Sequence, residues 1–421
     1  MWRMVKNMSR SNMRSTYLFL LLIALLSCKT GDSGNPLHKI IDDIDDKYPS
    51  IIYNVEEYGL QIIYTQIDRD KDNQPHLLTW QYNVDVDKYF YPASTVKLPA
   101  AILALEKIND LNIPGLKKGS TMFTDSAYSG QTRVYYDSSA QSLNPSISHY
   151  IKKIFLVSDN DAFNRLYEFL GQEYSNEMLK SKGFVNTGII HRLSIFLSEE
   201  ENRHTNPVRF FNGDTLVYKQ AGLEGPPLFP DKNEIFLGEG YMTGDSLIQG
   251  PMDFTRKNFM SLEDLHNILI ELILPGVLAG EPLYNLKDED YDFLYRYMSM
   301  YPRESEYPYY GTKYEDRYCK FLMYADHESN IPGHIRIFNK IGLAYGFLIE
   351  TAYIIDIQNN IEFFLSTVLN VNLNKIYNDG IYEYDSIGFP FFADLGKAVY
   401  HYELNRPRKH TPDLSSFTFE Y

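Results

Sequence analysis

Three short groups of residues carry the types and spacings that acyl transfer needs. The first is Ser94-Thr-Val-Lys97, directly after Tyr91-Pro-Ala. Ser and Lys three positions apart at the start of a helix lie on one face, so the amine reaches the hydroxyl. A serine hydroxyl becomes a useful nucleophile when a base takes its proton, and a neutral lysine serves if its surroundings depress its pKa. Moving that pKa from ~10.4 to ~7 takes ~4 kcal/mol of destabilisation of the ammonium, which burial and a second nearby cation supply. The helix start adds free N–H groups and a positive dipole end, favouring negative charge at Ser94. Pro99, about one turn in, is expected to cost a bond or bend the helix. This is the only Ser-x-x-Lys in the 421 residues. By itself the spacing equally describes a capping Ser beside a solvated Lys.

The second group, Ser158-Asp159-Asn160, falls between two helical patterns. A hydroxyl there can relay a proton and an amide can hold a substrate amide. All three residue types also suit a helix N-cap; both roles hold together if Asp159 caps while Ser158 and Asn160 face a cleft. The third group is Asn339-Lys340-Ile341-Gly342 at the end of a strand pattern. Lys340 there supports the relay and attracts a substrate carboxylate, and Gly342 permits close approach to the backbone. Alone, it also reads as a strand-end Lys before a turn.

These groups need a scaffold, and the hydrophobic periodicity supplies one. Leu37, Ile40, Ile41 and Ile44 space an opening helix over 37–48. Strand patterns follow at 60–67 and 76–85, joined by polar Asp68 to Pro75, and three more stand at 333–340, 346–357 and 361–371, with Gln358-Asn359-Asn360 as a tight turn. A last helix covers 391–404. Between the strand groups, helical patterns occupy 95–110, 144–156, 160–170, 172–182 and 261–274. The order predicts a mixed α/β (α+β) fold: an antiparallel sheet of about five strands drawn from both chain ends, flanked by terminal helices, plus an all-helical lobe, with a site in the cleft between them. Residues 207–256 and 281–318 fit this plan poorly and read as insertions or surface excursions within a domain over 37–410. The 35 Tyr read as core and cleft lining.

Composition narrows the classes. The chain is 44% hydrophobic and 23% charged, enough for a large core. Its net charge of -15, without a cluster of Lys and Arg, argues against nucleic acid as a partner. The start carries Arg3, Lys6, Arg10 and Arg14, an apolar run from Tyr17 to Leu26, then Ser27-Cys28. That is the pattern of a signal peptide over 1–27, too short in its apolar part for a spanning helix. Leu25-Leu26-Ser27-Cys28 resembles the bacterial lipobox, which implies lipidation at Cys28, a tether over 28–36, and an exported lipoprotein on the periplasmic face of a membrane or the cell surface, held to the membrane by its lipid alone. Cys319 is then the only remaining thiol. His327-Glu328 with His334 lacks zinc spacing, and no Cys-x-x-Cys, phosphate-binding loop, dinucleotide fingerprint or Gly-x-Ser-x-Gly elbow occurs, so neither metal nor cofactor is expected.

Together the three groups resemble the penicillin-recognising serine enzymes, above all class A β-lactamases, over roughly residues 37–404. The resemblance implies Ser94 as acylated nucleophile, Lys97 as its base, Ser158 as proton shuttle, Asn160 as substrate holder and Lys340 as cleft cation. It also implies an oxyanion hole from the backbone N–H groups of Ser94 and Leu343, and a small-molecule or peptidoglycan-like substrate. Two departures stand out. Ile341 replaces the hydroxyl residue between Lys and Gly that would hold a carboxylate. After Arg192, Leu193 and Ser194 stand where the family places the Glu that activates the deacylating water, and Glu199, Glu200 and Glu201 read as a solvated acidic loop. The expectation is a serine hydrolase forming an ester at Ser94, with β-lactams among its candidate substrates. The rivals are a D,D-peptidase or penicillin-binding protein, and a non-catalytic envelope binding module that keeps the fold.

Overall fold

The computed structural model describes residues 34–227, 233–326 and 330–421; the expected signal peptide, Cys28, most of the tether and His327-Glu328 lie outside them. Five strands, β1 (Gln61–Arg69), β2 (Pro75–Tyr82), β3 (Ile335–Ala344), β4 (Phe347–Asp356) and β5 (Ile361–Asn370), form one antiparallel sheet in the order β3-β4-β5-β1-β2. Pairing of β1 with β5, from Gln61↔Val368 to Gln66↔Phe363, joins the two ends of the chain as expected. Local chemistry sets the hairpins. Asp70 accepts from the amides of Asp72 and Gln74 at 2.8 and 2.9 Å, and Asp356 accepts from those of Gln358 and Asn359 at 2.9 and 3.1 Å.

The sheet is buried on both faces, which is why β4 and β5 read as nearly continuous apolar runs. Side chains alternate between two cores. Ile62, Tyr64, Ile337 and Phe363 pack towards α1 (Pro36–Asp42) and the C-terminal helix (Phe389–Asn405), whose Phe391, Leu395 and Val399 recur every fourth position. Ile63, Ile67, Phe338 and Phe364 pack on the other face against α2 (Lys97–Leu111), α3 (Ile147–Val157), α4 (Asn160–Leu170), α5 (Gln172–Ser181) and α6 (Leu262–Ile273). Each such Leu, Ile or Phe contributes ~1.5–3 kcal/mol by leaving water. Among the described residues no helix is long and apolar enough to cross a membrane.

Four expectations are corrected. The opening helix ends at Asp42 rather than running to residue 48; Ile44 reaches the core from the turns that follow. The lobe expected to be all helical also carries a three-stranded sheet of Thr121–Thr124, Val208–Asn212 and Thr215–Gln220. Residues 207–256 are therefore no mere surface excursion, since Val208 and Phe210 are buried in the main core. Within 281–318, α7 (Asp288–Ser299) sends Leu294 and Met298 into the same core, a helix whose period is hidden by flanking Asp and Tyr.

On α6, His266 bridges the layers: one ring nitrogen lies 2.8 Å from Thr65 Oγ1 of β1 and the other 2.7 Å from Ser366 Oγ of β5. Burial pushes its pKa from 6.5 to about 3. The unfolded chain then binds the extra proton between those values, so stability is full above pH 6.5 and falls as pH drops through the window. Urea unfolding from about pH 7 to about pH 4 is expected to show this group's loss of ~1.4 kcal/mol per pH unit, and His266→Gln to remove that one-proton slope.

Candidate active site

Ser94 lies in a 3₁₀ turn, Ala93–Val96, that leads directly into α2. The turn is fastened from inside: Thr95 donates through both its amide and its hydroxyl to Pro92 O, at 3.0 and 2.7 Å. Ala93 is buried with φ +49, a left-handed conformation that costs an L-residue ~1–2 kcal/mol. Pro99 falls in the first turn of α2, where a missing N–H costs least; the helix runs on to Leu111.

Lys97 opens α2 with no exposed surface. Its Nζ lies 2.8 Å from Ser94 Oγ, 2.7 Å from Asn160 Oδ1 and 3.2 Å from Ser158 Oγ, and also donates to Ser158 O. No carboxylate bonds to it. Burial, and then repulsion from Lys340, hold its pKa well below the usual lysine value.

The corner between α3 and α4 supplies the next pair. Ser158 ends α3 with φ +55, its amide donating to Ile154 O at 3.1 Å, and Asp159 caps α4 by accepting from Ala162 N at 2.8 Å. That division of labour leaves Ser158 and Asn160 turned to Lys97. Lys340 arrives from β3, 2% exposed, its Nζ 2.9 Å from Ser158 Oγ and 3.0 Å from its neighbour's carbonyl, Ile341 O. Burial pushes its pKa down to about 8. A continuous chain of polar atoms therefore runs from Ser94 through Lys97 and Ser158 to Lys340. Lys340, expected to face a substrate carboxylate, is buried and bonded to Ser158.

Gly342 lets β3 approach the Ser94 turn: a Cβ there would lie 2.6 Å from Pro92 O and 3.1 Å from Thr95 Cγ2. Leu343 follows on the open edge of β3 and, with Ser94, Ser158, Asn160 and Ile341, lines a cavity of about 610 Å³. Its remaining wall comes from Val157, from side chains between Lys313 and Ala325, and from Asp385 and Phe389.

The loop after α5 returns to Asn160 and lines a separate cavity with Ile190, His191, Arg192 and Ser194. Arg192 is clamped by buried Glu168 at 2.7 and 2.8 Å, and Leu193 exchanges hydrogen bonds with Asn164 at 2.9 and 3.0 Å. Ser194, with φ +55, then accepts from Asn160 Nδ2 at 2.7 Å. Sequence reasoning noted Ser194 only as a missing Glu; the structure makes it a direct neighbour of the site. Glu199–Arg203 is a short helix whose Glu201 closes a capping box with Ser198 and accepts from Ser129, while Glu200 accepts from Tyr128. Neither Glu200 nor Glu201 bonds to Ser94, Lys97, Ser158 or Asn160. Among the described residues no cluster of three or more His, Cys, Asp or Glu could hold a metal.

Residues 68–223, which carry Ser94, Lys97, Ser158 and Asn160, match the model of the Beta-lactamase2 family, the beta-lactamase enzyme family. Solved structures to which the chain is similar include a beta-lactamase from Sphaerobacter thermophilus, at 12% identity over 88% of this chain and 98% of that one, TM-score 0.45. PBP-A is similar at 14% identity over 82% of this chain and 89% of that one, TM-score 0.45. A variant of the last common ancestor of Gram-negative bacteria class A beta-lactamase is similar at 13% identity over 86% and 98%, TM-score 0.47. No curated protein matches the chain.

Gly342→Ala is expected to cost ~1–3 kcal/mol by forcing β3 away from the Ser94 turn, measured as a lower midpoint at unchanged m-value in chemical unfolding.

Proposed function

We propose that the chain is a serine hydrolase acting by acyl transfer through Ser94. The observation that carries this reading is the buried Lys97 amine 2.8 Å from Ser94 Oγ with no carboxylate bonded to it. Kept neutral, Lys97 takes the Ser94 proton as Oγ attacks a carbonyl carbon. Ser158, between Lys97 and Lys340, passes a proton to the leaving atom as its bond to carbon breaks. Asn160 holds the acyl side, and the backbone N–H groups of Ser94 and Leu343 receive the oxyanion, a role in which one donor is typically worth ~100 to 1,000-fold in rate. Water then cleaves the ester. Export as a lipoprotein anchored at Cys28 belongs to the same proposal, on the strength of the basic and apolar pattern of residues 3–28.

A second reading, a D,D-peptidase or penicillin-binding protein, is favoured by one feature: Ser194 occupies the loop position where a deacylating Glu is expected, and its partner is Asn160. On either reading the acyl-enzyme is long-lived. The substrate remains an amide or ester, with β-lactams included in the test.

Intact mass after incubation with a fluorophosphonate and, separately, a penicillin is expected to show, with at least one of the two, an adduct that Ser94→Ala abolishes; absence of both adducts would leave the binding module. Because a depressed amine pKa keeps the base available only above that pKa, adduct formation is expected to slow as pH falls, tenfold per unit once Lys97 is mostly protonated. Ser194→Glu is expected to shorten the lifetime of a carboxylic acyl adduct by ~100-fold, the low end of what a positioned general base supplies. An unchanged lifetime would sink the account of slow deacylation.

A further inference from the structure

The 610 Å³ cavity beside Ser94 is lined by both polar and apolar side chains. Ile341, 6% exposed, presents a branched alkyl group on its floor, and Val157, Phe321, Ala325, Leu343 and Phe389 extend the apolar surface. Across the β3–β4 register Ile341 faces Glu350, but that carboxylate is turned inward. It accepts from the amides of Phe321 and Leu322 at 2.9 and 2.7 Å and from Asn339, whose own oxygen is held by buried Lys320. The charges on the lining cancel: Lys313 and Arg317 against Glu315 and Asp385. Arg317 is committed to Glu315 at 2.5 Å and Ala325 O at 2.6 Å, while Lys313 lies exposed at the rim over the Tyr314 ring. Lys340 is enclosed behind Ser158. The lining also carries the Tyr314 and Tyr318 hydroxyls, and its two cations, Arg317 and Lys313, are respectively ion-paired and exposed.

Ser158 lines this same cavity, and in the proposed mechanism it protonates the leaving atom, so the leaving group departs on this side. We infer that the apolar chamber floored by Ile341 receives an uncharged aliphatic or aromatic leaving group, making the substrate a neutral ester or amide. The inference rests on the Ser94 reading above. In the step, a bond forms between Ser94 Oγ and the acyl carbon while the bond from that carbon to the leaving oxygen or nitrogen breaks. The Oγ proton passes to Lys97, Ser158 delivers its own proton to the leaving atom, and Lys97 returns one to Ser158.

The test is a series of acetate esters that all leave the same acetyl group on Ser94. The full chain, purified in detergent with about 0.3 M salt to screen its net charge, is incubated with ethyl, butyl and hexyl acetate and with 4-acetoxybutanoate. Ser94 acetylation is timed by intact mass, and fluorophosphonate labelling is run in parallel. At about fourfold per buried methylene, butyl acetate is expected to acylate ~15-fold faster than ethyl acetate, with 4-acetoxybutanoate no faster than the ethyl ester. Ile341→Ser is expected to shrink the butyl-to-ethyl ratio. Equal rates, faster acylation by the carboxylated ester, a ratio unmoved by Ile341→Ser, or fluorophosphonate labelling without acetylation would each overturn the apolar assignment. Failure of the fluorophosphonate itself to label Ser94 would overturn the nucleophile instead.

Discussion

An amine with nowhere to put a positive charge is the constraint on which the site depends. Lys97 is wholly buried, its Nζ meets only two hydroxyls, an amide oxygen and a carbonyl, and the nearest charged group bonded into the same chain of atoms is another lysine. A salt bridge would be the ordinary way to bury such a group, and it would fix the charge. The absence of one keeps the neutral base within reach. Maintaining that environment requires three separate parts of the chain to arrive together: the turn before α2, the corner between α3 and α4, and the edge strand β3.

Two of those parts are held in conformations the backbone resists. Ala93 and Ser158 have φ of +49 and +55, and each such residue stores ~1–2 kcal/mol. Neither can relax. Ala93 is locked between Pro92, pinned by Thr95, and a helix buried along almost its entire length, and Ser158 is fixed by the amide bonds that close α3. The two-sided sheet core supplies the stability against which this strain is held. His266 ties helix to sheet within that core through uncharged hydrogen bonds.

Behind β3, Lys320, Asn339 and Glu350 form a second buried polar network. Burial raises the pKa of the Glu350 carboxyl and lowers that of the Lys320 amine. The network anchors Phe321 and Leu322 to β4, and through them the cavity wall. It thereby consumes polar groups near Ile341 that a charged ligand would otherwise meet. The polarity of the cavity wall is thus influenced by residues that do not line it.

The sequence by itself determined which reactive groups exist, the helical and strand context of each, and the sheet drawn from both chain ends. The caps and hairpins depend on neighbours within a few residues: Asp159 caps the amide of Ala162, and β4 and β5 pair because only a polar turn separates them, whereas the β1–β5 pairing joins opposite ends of the chain. The helix at 288–299 was hidden because its buried Leu294 and Met298 are interleaved with Asp and Tyr that mask the period. Ser194 gave no positive signal, since a serine in a loop becomes part of a site only when Asn160 stands beside it. Only the tertiary structure decided that the Lys97 amine is depressed, that Lys340 is buried against Ser158, and that Ile341 lines the cavity. Lys340 and Ser158 are 182 positions apart, and desolvation acts through whatever fills the surrounding space, not through the chain.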